Sequence, residues 1–104
     1  MKVTFSPAAR DDLLEIALHI AQDNPARALT FAGELEDRCT ALGHAPGIGT
    51  ARPELGDGVL MLPHGRYLIF YRHTQRSVRI ERIVHSARDI GVDDLDMPPG
   101  EVGV

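Results

Sequence analysis

Tyr67-Leu68-Ile69-Phe70-Tyr71-Arg72, His73-Thr74-Gln75-Arg76 and Ser77-Val78-Arg79-Ile80-Glu81-Arg82-Ile83-Val84-His85 follow one another without a gap. The first stretch is rich in aromatic and branched residues and reads as a strand. The second is a polar turn. The third alternates, so Val78, Ile80, Arg82 and Val84 are expected to face one way. A connection this short makes the two strands antiparallel. Just upstream, Val59–Leu62 is short and apolar, and Pro63-His64-Gly65 reads as a turn. The three strands therefore form an antiparallel meander.

Working outward, residues 43–58 hold five glycines together with Pro46 and Pro53. This is a loop. It is long for a small domain, so it is either functional or tied down by contacts. Before it, two helices are predicted. Ser6 is an N-cap with Pro7 at the first helical position. Helix one runs from about Pro7 to Gln22, with Asp11 and Asp12 suited to the positive end of its dipole. Ala9, Leu13, Ile16, Ala17 and Ile20 form its apolar stripe, and Leu14 and Leu18 fall outside it. Asn24-Pro25 caps and restarts the chain. Helix two runs to about Leu42, with Gly43 as its stop. Its stripe is Ala28, Phe31, Leu35, Cys39 and Leu42, with Leu29 as the outlier. A short turn makes the helices an antiparallel hairpin.

Lys2–Phe5 alternates and reads as a first strand. The order is thus β-α-α-β-β-β. This is an α+β domain, an antiparallel sheet covered on one face by a helix hairpin. The pattern fades after Arg88. The domain is assigned to residues 1–90 and an acidic tail to 91–104. Ile90, Val92 and Leu95 are expected to dock there, with fraying from Pro98 onward.

At 104 residues the chain fits one domain with a modest core, and its profile of 43% hydrophobic and 25% charged residues is that of an ordinary globular protein. Cys39 is the one cysteine, which excludes an internal disulfide and a cysteine metal cluster. No run reaches membrane-spanning length. The first residues lack the apolar stretch of a secretion signal, so a cytoplasmic location is expected. Up to Arg88, eleven basic residues meet ten acidic ones, for a charge of +1; the remainder carries −5. Arg66, Arg72, Arg76, Arg79, Arg82 and Arg88 lie where Glu81 is the only acid. This is a local basic region, too weak to argue for general nucleic-acid binding. His19, His44, His64 and His73 lack metal-ligand spacing and are read as surface or loop residues. No metal and no cofactor is expected. Gly47-Ile48-Gly49 lacks the strand-to-helix context of a phosphate loop. Ser86, His85 and Asp89 do not form a triad, because neighbouring strand residues point to opposite faces.

Several words of the sequence resemble one family. They are Ser6-Pro7-Ala8-Ala9 with Asp12-Leu13 and Ile16; Asn24-Pro25 with Ala28; Leu42, Pro46, Gly49 and Arg52-Pro53-Glu54-Leu55; Pro63; Gly65 through Arg72; and Val84-His85-Ser86-Ala87-Arg88-Asp89. In this order, over about residues 3–90, they resemble the ParE toxins of the RelE/ParE toxin–antitoxin superfamily. The resemblance implies a non-enzymatic toxin that inhibits DNA gyrase and is neutralised by a ParD-like antitoxin in a hetero-oligomer. It implies plasmid stabilisation as a setting, and no sequence-specific nucleic-acid or membrane binding by the toxin itself. The tail after Arg88 matches no motif of the family.

On this reading Arg66, Arg72, Arg82 and Arg88 are candidates for the target-binding patch. The alternative for each is structural: Arg88 tied to Asp89, and Arg72 and Arg82 solvated or paired across strands. Leu14, Leu18 and Leu29 are candidates for a groove that takes an amphipathic antitoxin helix, against the alternative of scattered exposed leucines. The runner-up function is a ribosome-dependent mRNA endonuclease of RelE type, with Tyr71, Arg82 and His85 in proton transfer and charge neutralisation. A third reading is a degenerate member that binds antitoxin without poisoning.

Overall fold

The computed structural model describes residues 1–88, 90, 91, 94 and 95. Its elements are β1 (Lys2–Phe5), α1 (Pro7–Ala21), α2 (Pro25–Ala41), β2 (Thr50–Ala51), a short 3-10 turn (Pro53–Leu55), β3 (Leu60–His64), β4 (Tyr67–His73) and β5 (Ser77–His85).

Both helices start as their sequences dictate. The Ser6 hydroxyl accepts from Ala9 N at 3.0 Å and Asn24 Oδ1 accepts from Arg27 N at 3.0 Å, with proline at each first turn. Ser6 also fastens the helix to the sheet. Its amide donates to Ile80 O and its hydroxyl donates to Glu81 O at 2.7 Å. Asp11 and Asp12 lie beyond the first turn of α1. Asp12 does not serve the helix dipole in solvent; it is buried against the sheet.

The five strands lie in the order β1-β5-β4-β3-β2. Strands β3, β4 and β5 form the expected antiparallel meander. The sheet as a whole is mixed, which corrects the expectation of an antiparallel one. Strand β1 runs parallel to β5, with Lys2 opposite Ser77 and Phe5 opposite Ile80. A tight turn forces antiparallel pairing only between the strands it joins. The helix hairpin, the long loop and strands β2 to β4 all lie between β1 and β5, so no local signal set the direction of their pairing. Strand β2 is a further addition. Thr50 and Ala51 pair with Met61 and Leu60 from inside the loop, and two residues are too few for a periodic signal. Strand β3 also continues through Pro63 and His64, so the turn falls on Gly65-Arg66, where Gly65 takes φ +58°.

A bulge divides β5. Tyr71 pairs with Ile80 and Phe70 with Arg82, leaving Glu81 as the extra residue. The alternation slips by one at that point. Val78 and Ile80 therefore share the helix-side core with Ile83, while Val84 joins the other face. The expected single row of Val78, Ile80, Arg82 and Val84 does not form.

The helix-side core joins Ile16, Phe31, Leu35, Cys39 and Leu42 to Ile69, Tyr71, Val78, Ile80 and Ile83. Phe70, next to Ile69 and Tyr71 on β4, points to the opposite face. There a second cluster forms with Leu55, Val59, Val84 and Leu95, and Ile90 packs against it. Ile90 and Leu95 dock as expected; Val92 lies outside the described residues. The 43–58 loop is tied down on both faces. Tyr71 donates its hydroxyl to Pro46 O at 2.8 Å and accepts from Gly49 N at 2.9 Å. A Cβ on Gly49 would stand 2.6 Å from that hydroxyl, so the residue must be glycine for the loop to close on the ring.

Candidate functional site

Asp12 sits on the core-facing side of α1 with Ala9 and Ile16, and meets β5 just past its last pair with β1. Asp12 accepts from Arg82 Nε at 2.7 Å, from Arg82 Nη2 at 2.9 Å and from Ile83 N at 2.9 Å. This is a two-pronged arginine–carboxylate pair, with side-chain exposures of 14% for Arg82 and 8% for Asp12. The bond to Asp12 raises the Arg82 pKa above its usual value. The remaining Arg82 Nη1 donates to Asp94 O at 2.8 Å. Arg82 thus ties α1, β5 and the segment after β5 together. The sequence signal for Asp12 was its helical spacing from Ala9 and Ile16, which puts a carboxylate in the core stripe.

Arg72 and Arg79 are cross-strand partners that lean on Glu81, at 3.9 and 3.3 Å. Glu81 is buried at the bulge. Arg88 pairs with Asp94 at 2.8 Å; Asp89, its expected partner, lies outside the described residues. The amide of Gly91, and then Arg88 and Arg82, hold the Asp94 carboxyl below its usual range. Arg66 is exposed in the β3–β4 turn, and its carbonyl accepts from Ser86 N at 2.8 Å. The four target-binding candidates therefore divide. Arg66 and Arg88 lie near His85 at one end of the sheet. Arg82 is locked inside the ion pair, and Arg72 sits toward the other end.

A groove opens at the end that Arg66 and Arg88 share. It consists of two adjoining hollows of about 270 and 390 Å³, which both touch His19, Tyr67 and His85. Tyr67 meets the His85 ring edge-on at 5.4 Å and the Phe31 ring at 5.6 Å. Glu15 lines one hollow with Arg88, and Arg27 lines the other with Arg66. Tyr67 was not singled out in the sequence; its place at the start of an aromatic strand carried no further signal.

Tyr71, Arg82 and His85 do not converge. Tyr71 is wholly buried with its hydroxyl engaged by the loop. Burial raises its pKa, against the pull of the Gly49 amide. Tyr71 pairs with Ile80, while His85 pairs with Tyr67. Four residues of strand separate them, about 13 Å at the usual rise. Cys39 is buried in the helix-side core, and burial pushes its thiol to about 12, which leaves it a poor nucleophile. Among the described residues no group of His, Cys, Asp and Glu is arranged to hold a metal ion. No described helix is long and apolar enough to cross a membrane.

The helix hairpin carries the other candidate surface. Leu14, Leu18 and Leu29 are 60%, 59% and 81% exposed. Leu14 and Leu18 stand one turn apart on the side of α1 turned away from Ile16 and the sheet.

A sequence model for the ParE toxin of the type II toxin–antitoxin system parDE matches residues 3–90, nearly the whole described body. The chain belongs to the ParE toxin family. As in the sequence-based expectation, this ParE-type fold has a sheet covered by a helix hairpin. The chromosomal ParDE system from P. aeruginosa is similar in fold, at a TM-score of 0.71 and 23% identity, covering 82% of this chain and 95% of that one. The toxin–antitoxin complex RelBE2 from Mycobacterium tuberculosis matches at a TM-score of 0.54 and 28% identity, covering 84% and 92%. No curated protein sequence matches this ParE-family chain.

Proposed function

We propose that this ParE-family toxin acts in the cytoplasm by binding DNA gyrase rather than by catalysis, and that a ParD-like antitoxin neutralises it. The observation that carries the binding reading is the dispersal of Tyr71, Arg82 and His85. A nuclease of the related kind needs groups that give and take protons around one phosphate. Here the tyrosine hydroxyl is consumed by the loop and the arginine by Asp12. Arg66 and Arg88, which border the groove, are the arginines we assign to the target. Leu14, Leu18 and Leu29 are the residues we assign to an antitoxin helix, because large exposed leucines gathered on one hairpin fit an amphipathic partner.

The likeness to a RelBE complex supports a second reading, a ribosome-dependent endonuclease. A gyrase assay separates the two. Purified chain added to gyrase and supercoiled plasmid with ATP is expected to accumulate gyrase-cleaved linear DNA, and antitoxin added first is expected to prevent it. Unimpaired supercoiling at saturating, folded toxin would rule gyrase out as the target.

A further inference from the structure

Helix α1 carries the leucine ridge and one wall of the groove at the same time. Leu14 and Leu18 face away from the sheet, whereas Glu15 and His19, their immediate neighbours in sequence, line the groove. A helix is about 10 Å wide. A partner segment leaving the ridge has only the flank of α1 to cross before it reaches Arg66, Tyr67 and His85.

The charges of the groove select what such a segment brings. Arg27 is held by Glu34 at 2.6 Å, and Arg88 by Asp94 at 2.8 Å. Arg66 is exposed and makes no ion pair among the described residues. Arg88 shows how an arginine at the groove's edge is used: its guanidinium pairs with the Asp94 carboxylate. Among the described residues that line the two hollows, Glu15 is the carboxylate outside the Asp12 pair, and like-charge repulsion there favours the Arg66 side for an incoming acid. The floor beneath is the Tyr67 ring against His85 and Phe31, a surface for an apolar side chain.

We propose that this groove receives an acidic, extended segment of the antitoxin, with a carboxylate on Arg66 and an apolar side chain over Tyr67. The inference rests on the antitoxin reading and adds to it a second anchor, chemically distinct from the leucine ridge. The antitoxin then covers the arginine assigned to the target, so neutralisation is by occupation of the same groove.

The test is the Kd of the full chain for its cognate antitoxin, at low and at high salt. Four variants checked for folding are compared: Arg66→Gln, Arg66→Lys, Leu18→Asp, and Arg76→Gln as a control in the far β4–β5 turn. Arg66→Gln is expected to weaken binding about tenfold at low salt and to flatten the salt dependence. Arg66→Lys is expected to restore part of the loss, and Arg76→Gln to change nothing. If Leu18→Asp weakens binding while Arg66→Gln does not, the groove proposal is overturned and the ridge stands. Equal losses for Arg66→Gln and Arg76→Gln would mean bulk charge attraction and overturn it as well. If the wild-type chain forms no complex, the antitoxin reading itself falls, and the groove proposal with it.

Discussion

Arg82 and Asp12 decide how the sequence is to be read at the scale of single residues. An arginine on a strand in a basic stretch suggests a binding patch, and an aspartate near a helix start suggests a dipole partner. Together they make a nearly buried pair that also satisfies Ile83 N. Removing one partner leaves an uncompensated charge in a dry place. Arg82→Ala is accordingly expected to lower stability by about 3 kcal/mol in urea unfolding. Arg88→Ala, at an exposed pair, is expected to cost less than about 1 kcal/mol. Similar small losses for both would mean that Arg82 is free to meet a target. The pair was half legible: Asp12 lies in the apolar stripe of α1. Its partner was hidden, because the register that brings Arg82 to it depends on the bulge.

At the scale of elements, the legible parts were those with local causes. Ser6-Pro7 and Asn24-Pro25 mark helix starts through capping and a preset φ, and both act as written. Short polar turns fixed the meander. What was not legible had no local cause. The parallel β1–β5 pair joins the first and last strands of the chain, β2 is two residues long, and the Glu81 bulge interrupts an alternation that continues unbroken on paper. The long loop held both readings open, and Tyr71 shows why it is ordered. Its hydroxyl bridges Pro46 and Gly49 from within the core. Tyr71→Phe leaves a carbonyl and an amide without that partner, and is expected to cost about 1–2 kcal/mol. The loss should be accompanied by faster proteolysis between residues 43 and 58. Unchanged loop protection in Tyr71→Phe would mean that the β2–β3 pairing with Leu55 and Val59 holds the loop without the hydroxyl.

At the scale of the whole molecule, the basic stretch seen in the sequence resolves into separate sites rather than one patch. Arg72 and Arg79 gather on Glu81, Arg82 locks α1 to β5, and Arg66 and Arg88 border a groove beside His85. The exposed leucines lie on the hairpin, the layer opposite the docked Ile90 and Leu95. Family membership was legible because it rests on ordered words spread over residues 3–90. The site was not, because which arginines stay accessible is decided by their partners. The proposed toxin stops growth by binding gyrase. The most direct test is pulse-labelling of DNA and protein synthesis just after the chain is induced without antitoxin in a bacterial host. DNA synthesis is expected to fail first, with messenger RNA intact. Protein synthesis failing first, with cleaved messages, would contradict gyrase binding and favour the endonuclease, and unchanged synthesis of both despite folded expression would mark a member that no longer poisons.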